Sequence, residues 1–372
     1  MAKTASGSET LSTRALNRAT LARQLLLSRS ERSALDATNH LVGLQAQNPA
    51  PPYYALAARL ADFDPGELSG LLERREVVRL PALRSTIHLM SAEDALMLRP
   101  FGQPALDREL KMFAKGLEGV DLDRLTALVA ERCTGDGVPQ RALAAELTAL
   151  WPDADRLALT IAARVLLPLV QTPPRALWGR GGQLTLATLQ SWVGRELAKP
   201  DEEDLVRRYL GAFGPASVKD MQTWAGVTRL RPFFERLRDA GELITFRDPA
   251  GVELFDLPDA PRPDEDTPAP PRFLPEYDNV LLSHADRTRV VPPEVRDSWR
   301  GNSNYCTFLV DGFLRGSWQL QDGVLVVQPF TPLTRAERRA VEAEAARVPV
   351  ADQSGSIGPS SQTPVEVRSS LK

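Results

Sequence analysis

The sequence predicts an α+β chain in which three helical blocks, each closed by a two-stranded hairpin, precede a small, mainly β domain. Two patterns carry that prediction. Apolar residues recur at helical spacing through residues 13–258, broken three times by short β-prone runs, and the period changes to two beyond a Pro/Asp-rich stretch at 259–272. Composition sets the frame: 372 residues with 43% hydrophobic and 25% charged side chains describe a soluble globular protein too long for one core. About two to four domains are expected at this length.

Residues 1–12 are Ser/Thr-rich and aperiodic and are read as a disordered tail. Leu16, Leu21, Leu25 and Leu26 then make one helical stripe, and Leu35, Thr38, Leu41 and Val42 another. Gly43-Leu44-Gln45-Ala46-Gln47-Asn48-Pro49 follows. Pro49 pushes Asn48 out of the α region, so the helix ends nearby. Glutamines two apart share one side of an extended segment but not of a helix. Two neutral amides on one side can hold a water or a sugar oxygen, or can simply finish a helix. Asp64-Pro65-Gly66-Glu67 opens another helix, and residues 77–80 and 83–90 read as a ribbon around Pro81-Ala82. Ser91 caps the next helix. Helices followed by a hairpin outline a winged helix, a variant of the helix-turn-helix.

A second unit of the same order starts near Asp121, with helices at about 122–129, 140–150 and 155–169 and strands at 178–180 and 184–186. The third has helices at 201–213, 218–225 and from a Thr228 cap to about 239, with a hairpin around Asp248-Pro249-Ala250-Gly251. Residues 279–284, 307–310, 315–319 and 324–328 read as strands, Thr334 caps a charged helix, and residues 351–372 read as a floppy tail. The expected division is therefore 1–12 tail, 13–120, 121–198 and 199–258 winged-helix units, 259–350 a mainly β domain and 351–372 tail.

A net charge of −3 argues against a wholly basic nucleic-acid coat protein but leaves room for a local basic channel. No apolar run reaches the roughly 18 residues needed to span a bilayer, and the polar N-terminus points to no export signal, so a cytoplasmic location is expected. Cys133 and Cys306 have no redox or metal spacing. His40, His88 and His284 match no metal motif, so neither a metal nor an organic cofactor is expected. Arg79, Arg84, Arg229 and Arg231 are candidate phosphate contacts on wings and caps. His88 is the histidine best placed for function, because its strand can lie beside the glutamine pair. From the residues alone, a winged-helix transcriptional regulator and a DNA-acting enzyme both remain open, the first predicting a dimer on a palindrome and the second a monomer.

Three blocks carry a resemblance: His40-Leu-Val-Gly-Leu-Gln-Ala-Gln-Asn-Pro49 with Pro52-Tyr53, Arg84-Ser-Thr-Ile-His-Leu89, and Leu274-Pro-Glu-Tyr-Asp-Asn-Val-Leu-Leu-Ser-His-Ala-Asp-Arg287. In this order, over about residues 16–347, they resemble the AlkZ-type DNA glycosylases of the winged-helix family that includes the YcaQ-like enzymes. The resemblance implies three tandem winged helices and a C-terminal β-barrel-like domain. It also implies a monofunctional glycosylase that binds double-stranded DNA and releases bulky or crosslinked N7-alkylated purines without a cofactor. Gln45 and Gln47 are carried over as the catalytic pair, and Asn48, Arg84, His88 and Arg287 as DNA or lesion contacts. The YcaQ-like branch has Asp at the second motif position, so Gln47 places this chain nearer the AlkZ branch, often associated with self-resistance to DNA-alkylating natural products. With no lysine near the pair, no lyase step is expected.

Overall fold

Helices begin largely where capping chemistry puts them. In the computed structural model, which describes residues 9–299, 305–350 and 364–370, Asp64, Ser91, Ser217 and Thr334 each accept a backbone N–H from the first turn they precede. Ser217 and Thr334 complete capping boxes with Asp220 and Glu337. Thr228 does not cap: the helix Arg231–Asp239 starts behind Leu230 with Pro232 in its first turn.

The chain is mixed α+β, and its described residues form four sheets. Strands β1 (Leu44–Gln45), β2 (Val77–Pro81) and β3 (Ile87–Ser91) form the first, ordered β1-β3-β2. Strands β4 (Val138–Pro139), β5 (Leu169–Gln171) and β6 (Thr185–Thr188) form the second, ordered β4-β6-β5. The hairpin β7 (Ile244–Arg247) and β8 (Glu253–Asp256) is the third. Strands β9 (Arg272–Leu274), β10 (Cys306–Val310), β11 (Phe313–Gln321), β12 (Val324–Pro329) and β13 (Val365–Val367) make the fourth, in the order β13-β12-β11-β10-β9.

Five expectations need correction. The C-terminal sheet is open and is not a closed barrel, since β9 and β13 are its two edges. Val341 and Ala345 of the helix Arg335–Ala345 pack on Phe308, Leu325 and Val327, covering one face. Residues 364–370, expected in the tail, supply β13, parallel to β12. The rest of that tail lies outside the described residues. Residues 279–284 are not a strand: Asn279–Leu282 is a short helix capped by Asp278, because a buried apolar run of this length has no period to distinguish the two. Residues 178–180 are a turn, and β5 is instead Leu169–Gln171. At the other end, residues 1–8 are outside the described residues, whereas Glu9 and Leu11 bond the backbone of Arg247 and so tie residues 9–11 to β7.

The cores cross the boundaries of the units expected from the sequence. Leu80, Leu83, Leu96 and Leu98 of the first unit share one core with Tyr209, Phe213, Trp224 and Phe234 of the third. Trp178 of the second unit packs against Tyr53 and Tyr54. The helix Thr13–Arg23 and its C-terminal extension give Leu21 and Leu26 to the core built by residues 274–314. Val42 belongs to the first of these cores and Leu44 and Ala46 to the second, so the glutamine segment lies between the two.

Candidate active site

The glutamine segment is held by an unusual backbone. Val42 (φ +54°) and Gly43 (φ +87°) both lie in the left-handed region, which is disfavoured for a β-branched residue such as Val42. This turn ends the helix Ala34–His40 and starts β1, so Gln45 is extended and pairs in register with His88. Cross-strand partners share a sheet face, so Gln45 and His88 are side by side. The ladder runs one residue further, Ala46 N–H donating to the Ile87 carbonyl at 2.8 Å, which brings Gln47 beside Ile87.

Both amide oxygens are occupied. Gln45 Oε1 accepts from Arg84 Nη2 at 2.7 Å, and Gln47 Oε1 accepts from the Ile87 N–H at 3.3 Å. Each partner is donor-only, so the carbonyl end of each amide must face it, and the NH2 ends are turned the other way. Gln45 is 7% exposed, whereas Gln47 and Asn48 are open to solvent. Asn48 donates to the Glu276 carboxylate. His88 is 3% exposed and its Nδ1 lies 2.9 Å from the Thr86 carbonyl, to which it must donate. The neutral ring then carries its proton on Nδ1 and offers Nε2 as an acceptor.

Arg84 and Ser85 form a tight turn with φ +53° and +60°, a second left-handed pair at the site and one without glycine. Besides Gln45, the Arg84 guanidinium donates to the Trp224 carbonyl in the last turn of the helix Val218–Ala225. Arg108 donates to the Gly226 carbonyl just beyond. Two guanidiniums thus meet a helix C-terminus, where positive charge is favoured. Burial and the neighbouring charge of Arg287 push the Arg84 pKa down to about 10, so it remains a cation at neutral pH. Arg287 lies over the Trp299 ring at 5.3 Å and pairs with no carboxylate among the described residues. Arg79 is a correction to the phosphate-contact expectation: it is 1% exposed and donates to the Ala46 carbonyl at 2.6 Å and to Gln171 Oε1 at 2.8 Å. Arg231 is exposed and near Glu235 and Glu253, and Arg229 is exposed.

The third block holds the first in place. Asn279 Nδ2 donates to the Leu41 and Gly43 carbonyls at 3.3 and 2.8 Å, directly under the left-handed turn. Asp278 makes a two-pronged ion pair with Arg59, both distances 2.8 Å, with both side chains fully buried. His284 Nε2 bonds the Phe213 carbonyl and Tyr209 donates to the Ser283 carbonyl, joining the third unit to the same block. Asn279, Asp278 and Glu276 are the positioning residues that composition and spacing missed. The only sequence signal was their run of polar residues inside a recognised block.

Beside Gln47 opens a cavity of about 800 Å³ between the 81–87 turn, the helices Gln103–Met112 and Arg156–Leu166, and β5 and β6. No lysine lines it. Among the described residues no group of three or more His, Cys, Asp or Glu side chains could hold a metal, and no helix is long and apolar enough to cross a membrane.

Comparison with known proteins assigns this architecture to the DNA glycosylases. The family model described as DNA glycosylase AlkZ-like matches residues 38–349, and the chain belongs to that family. An interstrand DNA cross-link repair glycosylase of Streptomyces sahachiroi is 28% identical over 365 residues, spanning 88% of this chain and 92% of its own length. The solved structure of Streptomyces sahachiroi DNA glycosylase AlkZ superposes with a TM-score of 0.77 at 25% identity, covering 96% of this chain and 100% of that one. The protein is thus an enzyme, a DNA glycosylase.

Two tests follow from the local geometry. Gly226 has φ +70°, and a Cβ there would stand 2.9 Å from Arg84 Cα. Gly226→Ala should cost about 1 kcal/mol or more of stability. It should also slow base release by displacing Arg84 from Gln45; native melting and native excision together would refute the contact. The second test is pH. Burial, then the charge of Arg84, lower the His88 pKa to about 3, and burial likewise lowers that of His284. Between their ordinary value near 6.5 and about 3, the unfolded chain binds protons that the native chain does not. Stability contributed this way is full above that window and falls as pH drops through it. Thermal melts in His88→Gln should show a shallower acid slope than the native chain.

Proposed function

We propose that this glycosylase hydrolyses the N-glycosidic bond of purines alkylated at N7, bulky and interstrand-crosslinked adducts included, in double-stranded DNA. The observation that carries the reading is the orientation of the amide pair: with both carbonyl oxygens engaged by Arg84 and the Ile87 N–H, Gln45 and Gln47 present NH2 groups. Such donors suit sugar oxygens and the oxygen of an attacking water. His88 Nε2 on the same sheet face is an acceptor for that water's O–H. None of these groups is a strong base. A positively charged N7-alkyl base needs none, because its glycosidic bond is already weakened and the base leaves neutral. What remains is to place water and tolerate an oxocarbenium-like sugar. The chemistry therefore selects cationic lesions over neutral ones.

In this reading residues 13–120, 121–198 and 199–258 act as three winged helices around the DNA and 259–350 as the domain that braces them. Asn48, Arg287 and the exposed Arg229 meet DNA. The chain works as a monomer, without a metal or organic cofactor. The absence of lysine from the cavity lining supports hydrolysis without a lyase step. Gln47 supports a place in the branch that guards against a DNA-alkylating natural product.

The assay is incubation with duplexes carrying N7-methylguanine or a nitrogen-mustard crosslink, followed by alkali. Strand breaks are expected from both lesions after alkali, few before it, and none from undamaged DNA. Retarded bands on a gel with no base released from either lesion would reject the reading.

A further inference from the structure

We propose that the cavity beside Gln47 receives the bulky substituent on the alkylated base, an apolar, drug-sized group bearing hydrogen-bond acceptors, while the base itself remains at the amide pair. This deepens the N7-adduct reading and rests on it.

Size and position come first. About 800 Å³ falls in the range of pockets that enclose drug-sized ligands, and Gln47 and Ile87 belong to both the cavity wall and the amide site. A group fixed to a base held at Gln47 can enter without rotation of the base out of the stack.

The walls define the chemistry. Pro81, Ala105, Leu169, Leu184 and Leu186 give an apolar lining. The two most exposed large hydrophobic side chains among the described residues are Met112 at 76%, which lines this space, and Leu157 at 59%, on the helix Arg156–Leu166 that walls it. Met112 shares a helix face with Ala105, Arg108 and Glu109, and Leu157 shares one with Thr160 and Arg164. One exposed leucine or methionine needs no explanation, but two on the helix faces that line one cavity mark apolar binding.

The polar groups are mostly donors. Gln171 has its amide oxygen committed to Arg79, which turns its NH2 away as a donor. Arg84, Arg108 and Arg164 line the cavity against one carboxylate, Glu109, which is already held by Arg164 and Ser85. The lining thus offers hydrogen-bond donors to a neutral, acceptor-bearing substituent.

The test fills the cavity from two sides, Ala105→Phe in one variant and Thr160→Trp in another. Release is timed from duplexes carrying N7-methylguanine and N7-(naphthylmethyl)guanine. The readout is the ratio of the two rates, which cancels losses common to both. Relative to the native chain, the bulky-to-methyl ratio should fall roughly tenfold or more in both variants, as for other pocket-based discrimination. A ratio unchanged in both would overturn the assignment, including the case in which both rates drop together because the space carries the DNA backbone. Failure of the native chain to release either base would instead remove the N7-adduct reading, and this proposal with it.

Discussion

Replacing Gln45 and Gln47 together with alanine should abolish base release from N7-methylguanine duplexes while leaving DNA binding nearly intact. Each single change is expected to cost roughly 10²–10³ in single-turnover rate, the scale for loss of a preorganised hydrogen-bond group at a reacting centre. Gln45→Glu separates two roles. One carboxylate oxygen would keep the Arg84 bond now made by Oε1, and the second would replace the NH2 by an acceptor. If the NH2 is what the substrate needs, Gln45→Glu should be as slow as Gln45→Ala. Near-native release by Gln45→Glu would show that an acceptor suffices, and near-native release by Gln47→Ala would remove that residue from the site. Gln47 is exposed, so its loss should leave the fold undisturbed.

Asp278→Ala is the substitution with the largest expected effect on folding, about 3–5 kcal/mol. Removing one partner of a buried ion pair leaves the other charge without compensation. Here Arg59 and Asp278 are both fully buried, and Asp278 also caps the helix Asn279–Leu282. The double change Arg59→Met with Asp278→Leu should recover part of the loss, since it leaves no unpaired charge. Urea unfolding measures both. An Asp278→Ala chain as stable as the native one would mean that the pair only offsets its own desolvation. The same variant should release base more slowly even where folded, because Asn279, the next residue, holds the Leu41 and Gly43 carbonyls.

The glutamine pair was legible because its cause is local. The two glutamines stand out two apart before Pro49, but the helix ends at His40 rather than near Asn48, and the strand covers only Leu44–Gln45. Arg84 and His88 were placed near the pair by the ribbon and the recognised block, and they do lie there. Their roles were not legible. Arg84 reads as a phosphate contact until its partners, Gln45 39 residues away and Trp224 140 residues away, come into place. Arg79 is the plainer case: it lies on a strand as expected, but β2 is buried throughout and Arg79 faces Ala46 and Gln171.

The sequence by itself determined most helix starts, the first and third hairpins and the mixed α+β order, because caps, turns and apolar period act over a few residues. It also determined the amide pair and the three blocks that mark the family. Only the tertiary structure decided that the last sheet stays open, that residues 279–282 are helical, and that Asp278 and Asn279 fasten the glutamine turn. It likewise decided which arginines are buried struts and where the cavity opens. The reason is range. A charge or an apolar run takes its meaning from what packs against it, and in this chain those partners come from distant segments, 238 residues away for Asn279 and Leu41.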